Sequence, residues 1–201
     1  MIKIGIGVEG PSDREFWNRL LHRHFAGETV RFEVRVMHGR TKLINSASRL
    51  LAAFGATGCR AVFLLLDKDK DRCITSVYEE FDEEFRPRLK GSSGHPLCRL
   101  CVADRELESW FMADDEAMRK VLGLSPDFAF PGGERITGKG KLQKLLTQHA
   151  SIGAAFNEIA IAQRFASEFR AENAVKNSPS FAYFWNKLTS VINNAIGAEN
   201  V

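Results

Sequence analysis

The chain has 201 residues, 44% of them hydrophobic, which is enough for one sizeable core and too many for a globally disordered protein. A net charge of +3 neither requires nor excludes a nucleic-acid partner. No apolar run approaches the length of a membrane span, and the N-terminus enters a strand-like run where a signal peptide would show another pattern. The expectations are a cytoplasmic protein without membrane contact and reduced Cys59, Cys73, Cys98 and Cys101.

Residues 1–8 read as a strand and 8–12 as a turn. Phe16, Trp17, Leu20, Leu21 and Phe25 share one helical face over 13–25, and the capping-box spacing of Ser12 and Glu15 sets the predicted helix start there. Val30 to Met37 alternates apolar and charged residues, the pattern of a half-buried strand. Residues 42–54 predict a helix with Leu43, Ala47, Leu50, Leu51 and Phe54 inward. Ala61 to Leu66 is a continuous apolar run that stops at Asp67, as in the centre of a parallel sheet. A helix over 74–89 with an acidic outer face, a strand over 97–102 and a helix from 106 to 112 follow. Beyond residue 112 the pattern is helical, over 114–122, 140–149, 151–170 and 180–196.

The order βαβαβαβ predicts an α/β, Rossmann-like fold. Its four-stranded, mostly parallel sheet carries helices on both faces and continues into a helical C-terminal half. Residues 1–112 form the expected core, and 113–201 a helical extension packed on it as one compact domain.

Gly5-x-Gly7-x-x-Gly10 matches the glycine pattern of dinucleotide-binding loops. Its placement argues against that function. Gly5 and Gly7 lie inside the strand, the second strand ends in Met37-His38-Gly39-Arg40 without a ribose-binding acid, and Glu9 would repel a pyrophosphate. Glu9 itself is a carboxylate at the C-terminal end of the first strand, where parallel sheets gather ligand sites. Asp67 and Asp69 end the third strand; in an extended chain they point the same way. Glu106 stands nearest the end of the fourth strand, with Glu108 beside it. Oxygen donors from three strand ends suit a hard cation, Mg²⁺ or Mn²⁺. The segment 67–71 does not continue as a calcium loop, since Arg72 and Tyr78 replace the glycine and glutamate that loop needs.

Val8-Glu9-Gly10, Asp67-x-Asp69 and Arg105-Glu106-Leu107-Glu108-Ser109-Trp110, in this order, resemble the TOPRIM domain of topoisomerases, primases and related nucleases. The closer likeness is to small TOPRIM-like proteins related to the OLD (overcoming lysogenization defect) nucleases. It spans about residues 1–112 and extends loosely to Gly138-Lys139-Gly140-Lys141 and Ser178-Pro179-Ser180-Phe181. The resemblance implies a Mg²⁺- or Mn²⁺-dependent nuclease or related phosphodiester-transfer enzyme. Glu9, Asp67, Asp69 and Glu106 would be its catalytic and metal-binding residues and Glu108 a further ligand, with Glu9 a ligand or the general acid/base. It also implies a separate ATPase partner in phage defence. Ser12 stands where many of these relatives have threonine, and Lys68 and Lys70 partly offset the acids. The competing expectation is a non-catalytic TOPRIM-like regulatory or binding subunit of an ATPase complex. A homodimer is compatible with either.

Four other features complete the pattern. Gly133 to Lys139 begins like a phosphate-binding P-loop but lacks the hydroxyl residue, because position 140 is glycine. The expectation there is a flexible basic loop in which Lys139 and Lys141 meet nucleic-acid phosphates. Arg40 and Lys42, beside His38 at the ligand edge, are the other candidate phosphate contacts. Cys98 and Cys101 point to opposite faces of a strand and read as structural thiols. Phe181, Phe184, Trp185, Leu188 and Ile192 form a core stripe.

Overall fold

The computed structural model describes residues 1–27, 29–68, 73–84, 87, 96–128, 138–149 and 157–199. Its four strands are β1 (Ile2–Val8), β2 (Val30–Val36), β3 (Ala61–Asp67) and β4 (Leu97–Ala103). They form one all-parallel sheet in the order β2-β1-β3-β4. The first half also contains α1 (Pro11–His24), α2 (Arg40–Asn45), α3 (Ala47–Ala56) and α4 (Ile74–Glu84). The second half holds α5 (Leu107–Met112), α6 (Asp115–Leu122), α7 (Lys139–His149), α8 (Glu158–Glu168), α9 (Ala171–Asn177) and α10 (Pro179–Glu199).

Side-chain alternation sorts the core into two layers. Ile2, Ile4, Ile6 and Val8 of β1 and Phe63 and Leu65 of β3 face α1 and the C-terminal helices in one hydrophobic cluster. Val62, Leu64 and Leu66 face α3 and α4 in the other, against Leu50, Leu51, Phe54, Val77 and Phe81. Phe16, Trp17, Leu20 and Leu21 of α1 are fully buried, each contributing about 1.5–3 kcal/mol by leaving water. α8 packs along α1 in the same cluster, and its Gln163 amide donates to Glu15 Oε2 at 3.1 Å. Phe181, Phe184, Trp185, Leu188 and Ile192 of α10 are buried in the same cluster, so the core-stripe reading holds. Cys101 lies in the first cluster and Cys98 packs against the second, the opposite facing expected for them.

The glycines of β1 have a packing role. A Cβ on Gly5 would come within 2.6 Å of the Phe54 ring, and one on Gly7 within 2.8 Å of Leu64. Gly5 is thus where α3 approaches the sheet closely, and Gly7 makes room for Leu64, its partner on the neighbouring strand β3.

Three sequence expectations need correction. α1 begins at Pro11, two residues before the expected start: proline suits the first helical position, and Asp13 Oδ2 accepts the Gly10 N–H at 2.8 Å, capping the helix from within. The helix expected over 42–54 is two helices that break at Ser46, and α9 is an additional short helix. Lys139, expected in a flexible loop, opens α7 one residue before the helix start expected at 140, and Lys141 lies in that helix. Residues 133–137 and 151–156 lie outside the described residues.

Candidate functional site

The chain runs from β1 to β2 on one side and reaches β3 on the other, and the helices that follow β1 and β3 pack on opposite faces. The rim between the ends of β1 and β3 is therefore the topological switch point, where open α/β sheets bind ligands. Glu9 and Asp67 meet there. Glu9 Oε1 accepts the backbone N–H of Asp67 at 3.0 Å. Asp67 shares the facing of Phe63 and Leu65, toward α1, and lines a small cavity with Glu9, Asp13, Trp17, Leu107 and Trp110.

β4 ends beside β3, with Ala103 in register with Asp67 and the Lys68 N–H donating to the Ala103 carbonyl at 3.0 Å. This brings the segment after β4 to the same rim. Glu106 is the N-cap residue of α5, and its Oε2 accepts the Lys139 N–H from the first turn of α7 at 2.6 Å. That approach depends on Gly138: its φ is +124°, and a Cβ there would lie 2.6 Å from Glu106 Oε2. Asp104 is engaged by the Lys68 ammonium.

Electrostatics ties these acids into one group. Burial, then the charges of Glu9, Asp13, Glu108 and Glu106, push the Asp67 carboxyl well above the usual carboxylate range. Glu108 is pushed up to about 7, first by burial and then by Asp13 and Glu106. Asp13 is also raised by burial, although the Gly10 N–H and the Ser12 hydroxyl oppose the shift. Among the described residues, no lysine or arginine side chain forms an ion pair with Asp13, Asp67, Glu106 or Glu108. Lys139, the nearby cation, directs its ammonium to Glu158 Oε1 at 2.5 Å.

Of the site residues read from sequence, Glu9, Asp67, Glu106 and Glu108 are thus drawn to one rim. Asp69 lies outside the described residues, which end here at Lys68, just past the last residue of β3, Asp67. Lys42 is exposed on α2, past the end of β2; the Arg40 side chain lies outside the described residues. Lys141 is half-buried on α7. Asp13 is the site residue the sequence reading missed. Its signal was its place four residues after Glu9, in the helix turn that opens from the same rim.

The donor set suits a hard divalent cation. Oxygen ligands prevail, and the acids repel one another. One further buried oxygen beside them, Ser109 Oγ, has no hydrogen-bond partner among the described residues. As placed, no three His, Cys, Asp or Glu side chains among the described residues gather closely enough to hold one ion. The fit is one of chemistry and charge.

Sheet and rim together define the class, a Rossmann-like α/β protein with an acidic cluster at the switch point and a helical C-terminal half. The chain belongs to the family described as Domain of unknown function (DUF4276), whose model matches residues 8–189 and so spans every acid of the cluster. No curated protein and no solved structure matches it.

Proposed function

We propose that this protein is a Mg²⁺- or Mn²⁺-dependent phosphodiesterase acting on nucleic acid, a nuclease of TOPRIM-like type. The observation that carries the reading is the meeting of Glu9 and Asp67 at the β1/β3 switch point within a group of mutually repelling carboxylates. Glu9, Asp13, Asp67, Glu106 and Glu108 would hold the metal, together with Asp69. A divalent cation supplies Lewis acidity toward a phosphodiester and makes water a stronger nucleophile near neutral pH. The chain's own part is positioning and proton handling. Glu9 is fixed by the Asp67 N–H and Glu106 by the Lys139 N–H. Burial and the neighbouring acids raise the Glu108 carboxyl to about 7 in the metal-free protein, and a bound cation would lower it and release its proton.

Arg40, Lys42, Lys139 and Lys141 are the candidate backbone contacts, Lys139 only after exchanging Glu158 for a phosphate. The resemblance to OLD-related proteins extends the reading to an ATPase partner in phage defence. A cytoplasmic setting belongs to the same reading and is supported by the unpaired state of the four cysteines. Among the described residues no helix is long and apolar enough to cross a membrane.

The test is cleavage of single- and double-stranded DNA and of RNA by the purified protein with Mg²⁺ or Mn²⁺. Cleavage is expected with metal, abolished by chelation and lost in Glu9→Gln and Asp67→Asn. Equal cleavage by both variants and wild type would refute the assignment. A second reading, a non-catalytic TOPRIM-like regulatory or binding subunit, is favoured by the absence of any three converging ligands among the described residues. It predicts neither saturable Mn²⁺ binding nor cleavage.

A further inference from the structure

We propose that Ser180, in the first turn of α10, is a positioning residue that holds the acid-bearing turn between β4 and α5 against the β1/β3 rim. The consequence for the site rests on the metal-dependent reading above. The bond itself does not.

The turn is short and conformationally demanding. It leaves β4 at Ala103, passes through Asp104, Arg105 and Glu106, and enters α5, which carries Glu108. Arg105 has φ +99°, a region that side chains with a Cβ avoid, so its neighbours must hold it there. Ser180 Oγ grips the turn at two points. It accepts the Asp104 N–H at 3.2 Å, just before Arg105, and the Trp110 indole N–H at 2.6 Å, within α5. Both donors lie at least 70 residues away in sequence, so the C-terminal helix fixes the path of a loop it does not adjoin in the chain.

Ser180 is itself well placed to do this. Ser178, fully buried, accepts the Phe181 N–H at 3.1 Å and sets the register of the first turn of α10. Phe184, one turn on, stacks on Trp110 with centroids 5.7 Å apart and planes 11° from parallel. The indole that Ser180 engages lines the cavity with Glu9, Asp13 and Asp67. Release of the turn would shift Glu106 and Glu108 relative to Asp67. A hydroxyl oxygen can accept two hydrogen bonds, whereas alanine accepts none and threonine keeps the acceptor.

The experiment compares wild type, Ser180→Ala, Ser180→Thr and Trp110→Phe by hydrogen exchange of the 103–112 segment and by calorimetric titration with Mn²⁺. Ser180→Ala is expected to speed exchange in 103–112 while β1 and β3 stay protected. It should also weaken Mn²⁺ binding by about ten- to a hundred-fold, the usual cost of removing an outer positioning contact. Ser180→Thr should restore both. If Ser180→Ala does not fold, Trp110→Phe decides the point, since it removes one of the two donors and should speed exchange in the same segment alone. Unchanged exchange in 103–112 overturns the proposal. So does faster exchange with unchanged Mn²⁺ affinity, because the bond would then be structural only. A wild-type protein that binds no Mn²⁺ refutes the nuclease reading, and the exchange result alone then decides whether Ser180 holds the turn.

Discussion

Two acidic stations in this molecule have opposite surroundings. Glu33, on edge strand β2, lies between Lys3 at 2.6 Å and the Arg35 guanidinium. Burial alone would raise its carboxyl, but Lys3, Thr57 and Arg35 together lower it to about 2. At the β1/β3 rim the acids are more numerous, and burial and mutual repulsion push Asp67 up and Glu108 to about 7. The chain supplies cations at Glu33; at the rim, Asp67 and Glu108 have no ion-pair partner among the described residues. The burial and mutual repulsion of these carboxylates are what the proposed metal would offset.

The sharpest break in that contrast is Asp67→Asn. It removes a carboxyl whose ionisation burial and the neighbouring acids oppose, so the metal-free protein should melt at a higher temperature than wild type while phosphodiester cleavage falls by a hundred-fold or more. A lower melting temperature with intact cleavage would show that Asp67 is an ordinary structural carboxylate.

The pH dependence of stability separates the stations by sign. Above the ordinary carboxylate range the folded rim retains a proton on Asp67, and up to about pH 7 one on Glu108, that the unfolded chain has released. Metal-free stability should therefore fall as pH rises toward 7, by at most about 1.4 kcal/mol per unit for each such proton. Added Mg²⁺ should flatten that slope. Glu33 contributes in the other direction: its stabilisation is present above about pH 4.5 and is lost as pH falls toward 2. Thermal melts from pH 3 to 8, with and without Mg²⁺, read both; melting that rises from pH 6 to 8 without metal would contradict the repelling cluster.

Gly138→Ala tests the support of Glu106. The positive φ costs about 1–3 kcal/mol for alanine, and the methyl group would meet Glu106 Oε2. The variant should lose both stability and Mn²⁺ affinity. Glu33→Gln should have the smallest effect, about 0–1 kcal/mol in urea unfolding, as for a partly exposed ion pair, with cleavage unchanged.

The sheet was legible because its signals are strong and local: alternation in β2, the unbroken run of β3, and the abrupt stop at Asp67. The rim followed from it, since parallel strands bring Glu9, Asp67, Glu106 and Glu108 to one side wherever the intervening chain goes. Other features depended on competing local chemistry. Ser12 and Glu15 have the spacing of a capping box, but Pro11 and the reach of Asp13 back to Gly10 place the cap two residues earlier. That same contact concealed Asp13, which reads as an ordinary first-turn acid until the helix is seen to open at the rim. Lys139 looked like a loop lysine because its glycine neighbours suggest flexibility. Gly138 instead serves as the close approach that lets α7 begin against Glu106.

Calorimetric titration of Mn²⁺ into metal-free wild type and Asp67→Asn at pH 8 is the most direct test of the central claim. The account predicts saturable binding to wild type and none to the variant. Binding of equal strength to both, or none to a correctly folded wild type, would contradict it.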